Sequence, residues 1–273
     1  MANPILGCHA GGIPDNYPPE GCDDPAFWTS RLTRLRCNVY NYIINVKDSW
    51  DFLLKWLEYT RKNPPFNFWI DLRGFVTEPE SYPHGVNFAA WGREIANLSK
   101  RYPHLTGFSI DDFCLDHSAQ REKMRMMIPR RFEITKTMMQ ECWGITPEIQ
   151  FLPVVYPNSI HLMELCKDYV SGIIYYNWKS EEDLVEAKTT FPGKKIVAGI
   201  YAKVGGKENP PQYVEKGMLT AKRCADGMMI FNVPENDPAH PIGKVVKNLF
   251  NQWSPTKPLH AGILGRLFGR RSH

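Results

Sequence analysis

At 273 residues the chain exceeds the usual size of one compact domain, but α/β barrels run to about 250 residues as a single unit, so length does not demand two domains. A hydrophobic fraction of 43% against 23% charged residues is enough for a sizeable core and excludes wholesale disorder. The net charge of +4 is slight and the basic residues are scattered, apart from clusters at Arg121 to Arg131 and Arg266 to Arg271, which argues against nucleic acid as a partner.

Eight times along the chain a short run of β-branched or aromatic residues is followed by a longer amphipathic stretch, the pattern of parallel strands joined by helical crossovers. The first strand is predicted at Pro4 to His9, and after a Gly/Pro/Asp-rich loop a helix covers Pro25 to Arg36. The second strand is Val39 to Asn45, and Asp48 or Ser49 caps a helix through Arg61. The third is Phe68 to Leu72 with a helix at Asn87 to Arg101; the fourth is Leu105 to Asp111, with helix over much of Arg121 to Cys142 and a break near Pro129. The second half repeats the rhythm: strand Ile149 to Tyr156 and helix Ser159 to Asp168, then strand Val170 to Asn177 and helix Ser180 to Thr190. Strand Lys195 to Ala202 and helix Pro211 to Arg223 follow, then strand Gly227 to Val233 and helix His240 to Trp253.

Eight units with nothing left over predict a single (β/α)8 TIM barrel spanning residues 1–253. An open doubly wound sheet would carry a glycine-rich phosphate loop after the first strand. Here Gly7-Cys8-His9-Ala10-Gly11-Gly12-Ile13-Pro14 does not match GxGxxG. The tail, residues 254–273, sets Ile263, Leu264, Leu267 and Phe268 beside Arg266, Arg270 and Arg271. That is the pattern of a basic amphipathic helix, docked on the barrel or contacting a partner or membrane surface. No apolar run approaches the ~20 residues of a membrane span. The amino terminus lacks the features of a secretory signal, and the seven cysteines form no CxxC pair, so reduced thiols in a cytoplasmic protein are expected.

Barrel chemistry belongs at the C-terminal ends of the strands. Alternation along Gly107-Phe108-Ser109-Ile110-Asp111-Asp112 turns Phe108 and Ile110 outward and Gly107, Ser109 and Asp111 inward, leaving Asp112 at the rim or the mouth. In the third strand Phe68, Ile70 and Leu72 face outward, and Asp71 and Arg73 face the mouth, as an ordinary ion pair or as part of a site. Carboxylates grouped at a mouth can divide labour, one holding a proton as general acid while another stays ionised. The candidate catalytic residues are therefore Asp111, Asp112, Asp71 and, on the loop after the eighth strand, Glu235. Arg73, Asn41, Tyr156, Tyr176, Asn177, Trp178 and Tyr201 are the candidate substrate contacts. Aromatic faces stack on sugar rings while amides and phenols bond hydroxyls. No cofactor is called for. His9 has no HxH partner and there is no HExxH or Cys/His cluster, so no metal site is expected, although Mg²⁺ needs little more than Asp111 and Asp112 plus substrate. A GxSxG nucleophile elbow is absent.

The segment from Tyr102 to Phe113 resembles the fourth strand of glycoside-hydrolase-like barrels of the chitinase type. There a Gly-Phe-x-hydrophobic-Asp strand delivers a catalytic acid to the mouth, which corresponds to Asp111 here. Phe113 and Cys114 stand where the chitinase-type motif closes with Glu, and Tyr175-Tyr176-Asn177-Trp178 stands where alpha-galactosidase-like barrels carry a second Asp. The resemblance implies cleavage of a glycosidic bond in a glycan or sugar conjugate. The alternatives are a catalytically silent barrel that binds carbohydrate or protein, and a Mg-dependent lyase or phosphoester hydrolase using Asp111 and Asp112.

Overall fold

The computed structural model describes residues 4–10, 23–44, 47–72, 82–85, 87–113, 121–234 and 237–253. The first half runs β1 (Ile5–Ala10), α1 (Pro25–Leu35), β2 (Val39–Ile44), α2 (Lys47–Thr60), β3 (Asn67–Leu72), α3 (Phe88–Arg101), β4 (Leu105–Ile110) and α4 (Arg121–Ile145). The second half runs β5 (Gln150–Phe151), β6 (Val154–Val155), a 3₁₀ helix (Ile160–Tyr169), β7 (Gly172–Tyr175), α5 (Glu181–Thr190), β8 (Lys195–Tyr201), β9 (Lys203–Val204), β10 (Lys207–Glu208), α6 (Pro211–Cys224), β11 (Gly227–Phe231) and α7 (Pro241–Trp253).

α2 begins at Lys47, so Asp48 and Ser49, expected as its cap, lie inside its first turns, while other helix starts are capped by side chains. Asp24 accepts from the Ala26 N–H at 2.8 Å, with Pro25 in the first helical position. Asn87 accepts from the Ala90 N–H at 3.1 Å, and Ser180 and Asp183 form a capping box on α5.

Nine parallel strands form one sheet in the order β5-β4-β3-β2-β1-β11-β8-β7-β6. Both faces are buried, as parallel strands require, and β2 is buried at every position. Two separate cores follow from the side-chain alternation. One, including Tyr40, Phe68, Phe108 and Ile110, lies under the helices. The other, with Val39, Trp69, Leu152, Ile174, Val197 and Met229, fills the concave side of the curled sheet. Phe68, Ile70, Leu72, Phe108 and Ile110 all join the outer core, as alternation predicts.

Four further expectations are corrected. The fifth strand is split into β5 and β6, because Pro153 between them has no N–H to give a ladder. These two pieces stand at opposite ends of the strand order. The Leu152 N–H donates to the Phe108 carbonyl at 3.0 Å on one side, and the Pro153 carbonyl accepts from the Ile174 N–H at 2.9 Å on the other. The helix expected to break near Pro129 runs unbroken from Arg121 to Ile145. Its second half is held against α3 by the Glu141–Arg93 ion pair at 3.3 Å, and the Thr146 hydroxyl just beyond it donates to the Ala96 carbonyl at 2.9 Å. The helix predicted from Ser159 is a 3₁₀ helix, whose period of three puts the buried Ile160, Met163 and Cys166 on one face. One element is also left over from the eightfold count, the hairpin β9–β10, closed by Gly205 and Gly206 at φ 54° and 80°.

Candidate functional site

The concave face ends in a buried polar chain at the C-terminal side of the first four strands. Register sets Asn41 beside His9 and Ser109 beside Asp71, all facing inward. The Asn41 amide donates to Ser109 Oγ at 2.8 Å, and the Ser109 hydroxyl donates to Asp71 Oδ1. The other Asp71 oxygen meets His9 Nε2 at 2.9 Å, and His9 Nδ1 lies 3.1 Å from the Tyr176 hydroxyl. None of these five residues is more than 1% exposed, so each polar group is satisfied inside the protein rather than by bulk water. Burial alone would pull the His9 pKa down. The Asp71 carboxylate outweighs it, with smaller help from Asp111 and Asp112, and holds the imidazole above its usual 6.5.

Tyr176 crosses the interior because Gly199 on β8 has no side chain; a Cβ there would lie 2.4 Å from the ring. Its ring packs on Tyr201 with centroids 4.8 Å apart, and Phe231 meets His9 edge-on at 4.9 Å.

Above this buried layer stand Asp111 and Asp112. The Asp111 N–H still donates to the Leu72 carbonyl at 2.8 Å, which keeps the residue in the register of β4 and its side chain inward. Asp112 leaves the sheet through a left-handed backbone at φ 48°, a conformation that Asp and Asn tolerate better than most residues. Its N–H donates to Asp111 Oδ1 at 3.1 Å, and its own Oδ1 accepts from the Tyr156 hydroxyl at 2.6 Å. Burial, followed by repulsion from Asp71 and Asp112, raises the Asp111 carboxyl from 3.8 to about 7, against the opposing pull of His9. Burial also pushes the Tyr201 phenol up to about 12 and raises that of Tyr156, so both are neutral hydrogen-bonding groups at ordinary pH. A half-buried carboxyl that holds a proton near neutrality, next to a second carboxyl fixed by a phenol, is an arrangement suited to general acid–base chemistry.

Those predicted site residues that are described fall into three groups. Asp71, Asn41 and Tyr176 are sealed in the lower network, while Asp111, Asp112, Tyr156 and Tyr201 stand together at the mouth. Asn177 and Trp178 lie further out, Asn177 exposed with φ 58° and the Trp178 indole N–H donating to the Gly199 carbonyl at 3.0 Å. With Tyr201 they line a cavity of about 610 Å³. Arg73, Glu235 and the tail 254–273 lie outside the described residues.

Sequence reasoning considered His9 as a metal ligand and missed it as the partner of Asp71. The alternation of Ile5, Gly7 and His9 along β1 carries the signal that it points inward. Among the described residues no group of three His, Cys, Asp or Glu side chains is arranged to hold a metal ion, and no helix is long and apolar enough to cross a membrane.

No protein-family model matches the chain, and no curated protein matches it. Solved structures do. The PgaB (BpsB) glycoside hydrolase domain from Bordetella bronchiseptica superimposes with a TM-score of 0.61 at 9% identity, over 90% of this chain and 98% of that one. Bacteroides uniformis beta-glucuronidase 2 gives 0.62 at 11% identity, over 83% of this chain and 30% of that one, so the match spans under a third of the larger protein. The orotidine 5'-monophosphate decarboxylase of Methanocaldococcus jannaschii gives 0.52 at 10% identity, over 92% and 99%. Two glycosidases and a decarboxylase on one architecture mean that fold does not select the chemistry. The chain has the TIM-barrel-like fold that these enzymes share, two of them glycoside hydrolases.

Proposed function

We propose that the sheet closes as a (β/α)8 barrel, with β5 and β6 the two halves of its fifth strand, and that its mouth cleaves a glycosidic bond. The reading rests above all on Asp111, a carboxyl at the end of the fourth strand that keeps its proton to about pH 7. In this reaction the Asp111 proton passes to the glycosidic oxygen, and the bond from that oxygen to the anomeric carbon breaks with its electron pair leaving on the oxygen. Positive charge develops on the sugar and is stabilised by the Asp112 carboxylate, which Tyr156 holds in place. Water adds to the anomeric carbon and yields its second proton to that carboxylate. Asp71 is a positioning residue in this scheme. Both of its oxygens are occupied, by His9 and Ser109, so it acts on Asp111 through charge rather than by touching substrate. Tyr156, Tyr201 and Asn177 supply hydrogen bonds to sugar hydroxyls.

The test compares wild type with Asp111→Asn on nitrophenyl glycosides and on soluble polysaccharides. General acid catalysis is worth about 10²–10⁴ in rate, so turnover should fall by that factor while circular dichroism stays unchanged. Near wild-type turnover in the variant would overturn the assignment.

A further inference from the structure

Beside the mouth, the cavity that Tyr201 shares with Asn177 and Trp178 continues between the β7–α5 connection and the outer side of α6. Of its lining, the cleavage scheme uses only Tyr201 and Asn177. Its volume of about 610 Å³ falls within the ~300–1,000 Å³ of small-molecule sites.

Three features of its lining point to a ligand class. First, it carries aromatic faces at different depths: Tyr201 at the mouth, Trp178 with its polar edge tied down by the Gly199 carbonyl at 3.0 Å, and Tyr213 on α6, 54% exposed. A ring held by such a bond presents its face without further ordering cost, which is how rigid platforms gain affinity. Second, Gln212, Lys216 and Glu215 bring amide, ammonium and carboxylate groups along the same wall, able both to donate to and to accept from hydroxyls. Third, charge is mixed: Arg223 is ion-paired with Glu181, and Lys179 and Lys216 share the lining with Glu215, so the groove has no strong single-sign field to select a highly charged ligand. Flat apolar faces among balanced donors and acceptors suit a neutral or weakly charged sugar chain.

We propose that this groove is a second carbohydrate subsite, holding the sugar units beyond the one at Asp111, so that the preferred ligand is an oligosaccharide of several units rather than a single glycoside. Continuity through Tyr201, whose ring packs on Tyr176, whose phenol is hydrogen-bonded to Tyr156 within the field of the two acids, and which also lines the groove, carries the placement. The proposal rests on the mouth being a glycan site, and the experiment separates the two.

Asp111→Asn protein, which would leave its ligands uncut, is applied to an array of cello-, chito-, manno- and xylo-oligosaccharides of one to six units. Retention should rise with chain length beyond two units. Adding Tyr213→Ala, an exposed change that spares the core, should weaken retention of the longer chains about 3- to 10-fold, the range of one aromatic contact. Trp178→Phe, which keeps an aromatic face of smaller area and loses the bond to Gly199, should weaken it in the same direction. Tyr59→Ala, an equally exposed aromatic on α2, should have no effect. Retention that is independent of length, unchanged by Tyr213→Ala, or absent for every sugar on the array would overturn the groove. Wild-type hydrolysis of the retained sugars is scored separately. Turnover with unchanged retention in Tyr213→Ala removes the groove and keeps the acid site; length-dependent retention without turnover keeps the groove and removes the hydrolysis.

Discussion

Replacing Asp111 by Asn should stabilise the fold, and by an amount that depends on pH. The carboxyl is raised from 3.8 to about 7 in the folded protein, so the native state binds this proton more tightly than the unfolded chain. For a carboxyl displaced upward the sign is opposite to that of an ordinary salt-bridged acid. Wild-type stability falls as pH rises through the interval between the two values, and the loss is complete once pH passes about 7. A gap of about three pH units corresponds to roughly 4 kcal/mol over the whole interval at ~1.36 kcal/mol per unit. The part lying between about pH 5 and pH 8, discounted because the side chain keeps some contact with water, is about 2 kcal/mol. Asparagine does not titrate, so its advantage over wild type should grow by that amount across the same range. His9, with its folded pKa raised, supports stability below its unfolded value and loses that support as pH climbs through its folded one, but it is common to both proteins and largely cancels from the difference. Urea unfolding of both proteins near pH 5 and near pH 8 gives the number directly. An advantage equal at the two pH values to within about 0.5 kcal/mol would mean that Asp111 titrates as an ordinary surface acid, and the general-acid reading would lose its basis.

Asp71→Asn removes one charge from a pair buried to 1% and 0% exposure, leaving His9 desolvated without its carboxylate; the expected cost is about 3–5 kcal/mol by urea melts, and a loss below about 1 kcal/mol would show that the pair is not what holds the lower network. Gly92→Ala sets two effects against each other. Helix propensity favours alanine by about 1 kcal/mol, but its Cβ would lie 2.4 Å from the Met138 backbone carbonyl of α4. The steric term should win, lowering stability by about 1–3 kcal/mol, and a measured gain would show that α3 and α4 can separate at little cost.

Much of the layout was legible because periodicity reports which way a side chain faces. Applied to β3 and β4, alternation put Phe68, Ile70, Leu72, Phe108 and Ile110 under the helices and Asp71, Ser109 and Asp111 inside, and the structure agrees. Other signals in the sequence are weaker because they are short: the three-residue spacing of Ile160, Met163 and Cys166, and Gly205-Gly206 between two short β runs. The Asp71–His9 pair was hidden for a different reason. Alternation tells that both point inward, but their distance depends on the curvature of the sheet across β1, β2 and β3, which no local pattern encodes. Tyr176 was expected to touch substrate, yet Gly199 lets it lie so deep that it is 1% exposed and bonded to His9.

The two adjacent acids show how little backbone is needed to give identical side chains different environments. Asp111 keeps one ladder bond, from its N–H to the Leu72 carbonyl, and so stays over the buried network, where its charge is opposed by Asp71 below and Asp112 beside it. One residue later the left-handed turn at Asp112 ends the alternation and delivers that carboxyl to the Tyr156 hydroxyl instead. A glycine at 112 would take the same φ without strain but would remove both the repulsion on Asp111 and the acceptor of the Tyr156 bond. The strained turn is therefore tied to the acid pair and not to chain reversal alone. Asn177 and Asn232 are also left-handed, just past the ends of β7 and β11, so three of the connections around the mouth start with an Asx residue that turns the chain sharply out of the sheet.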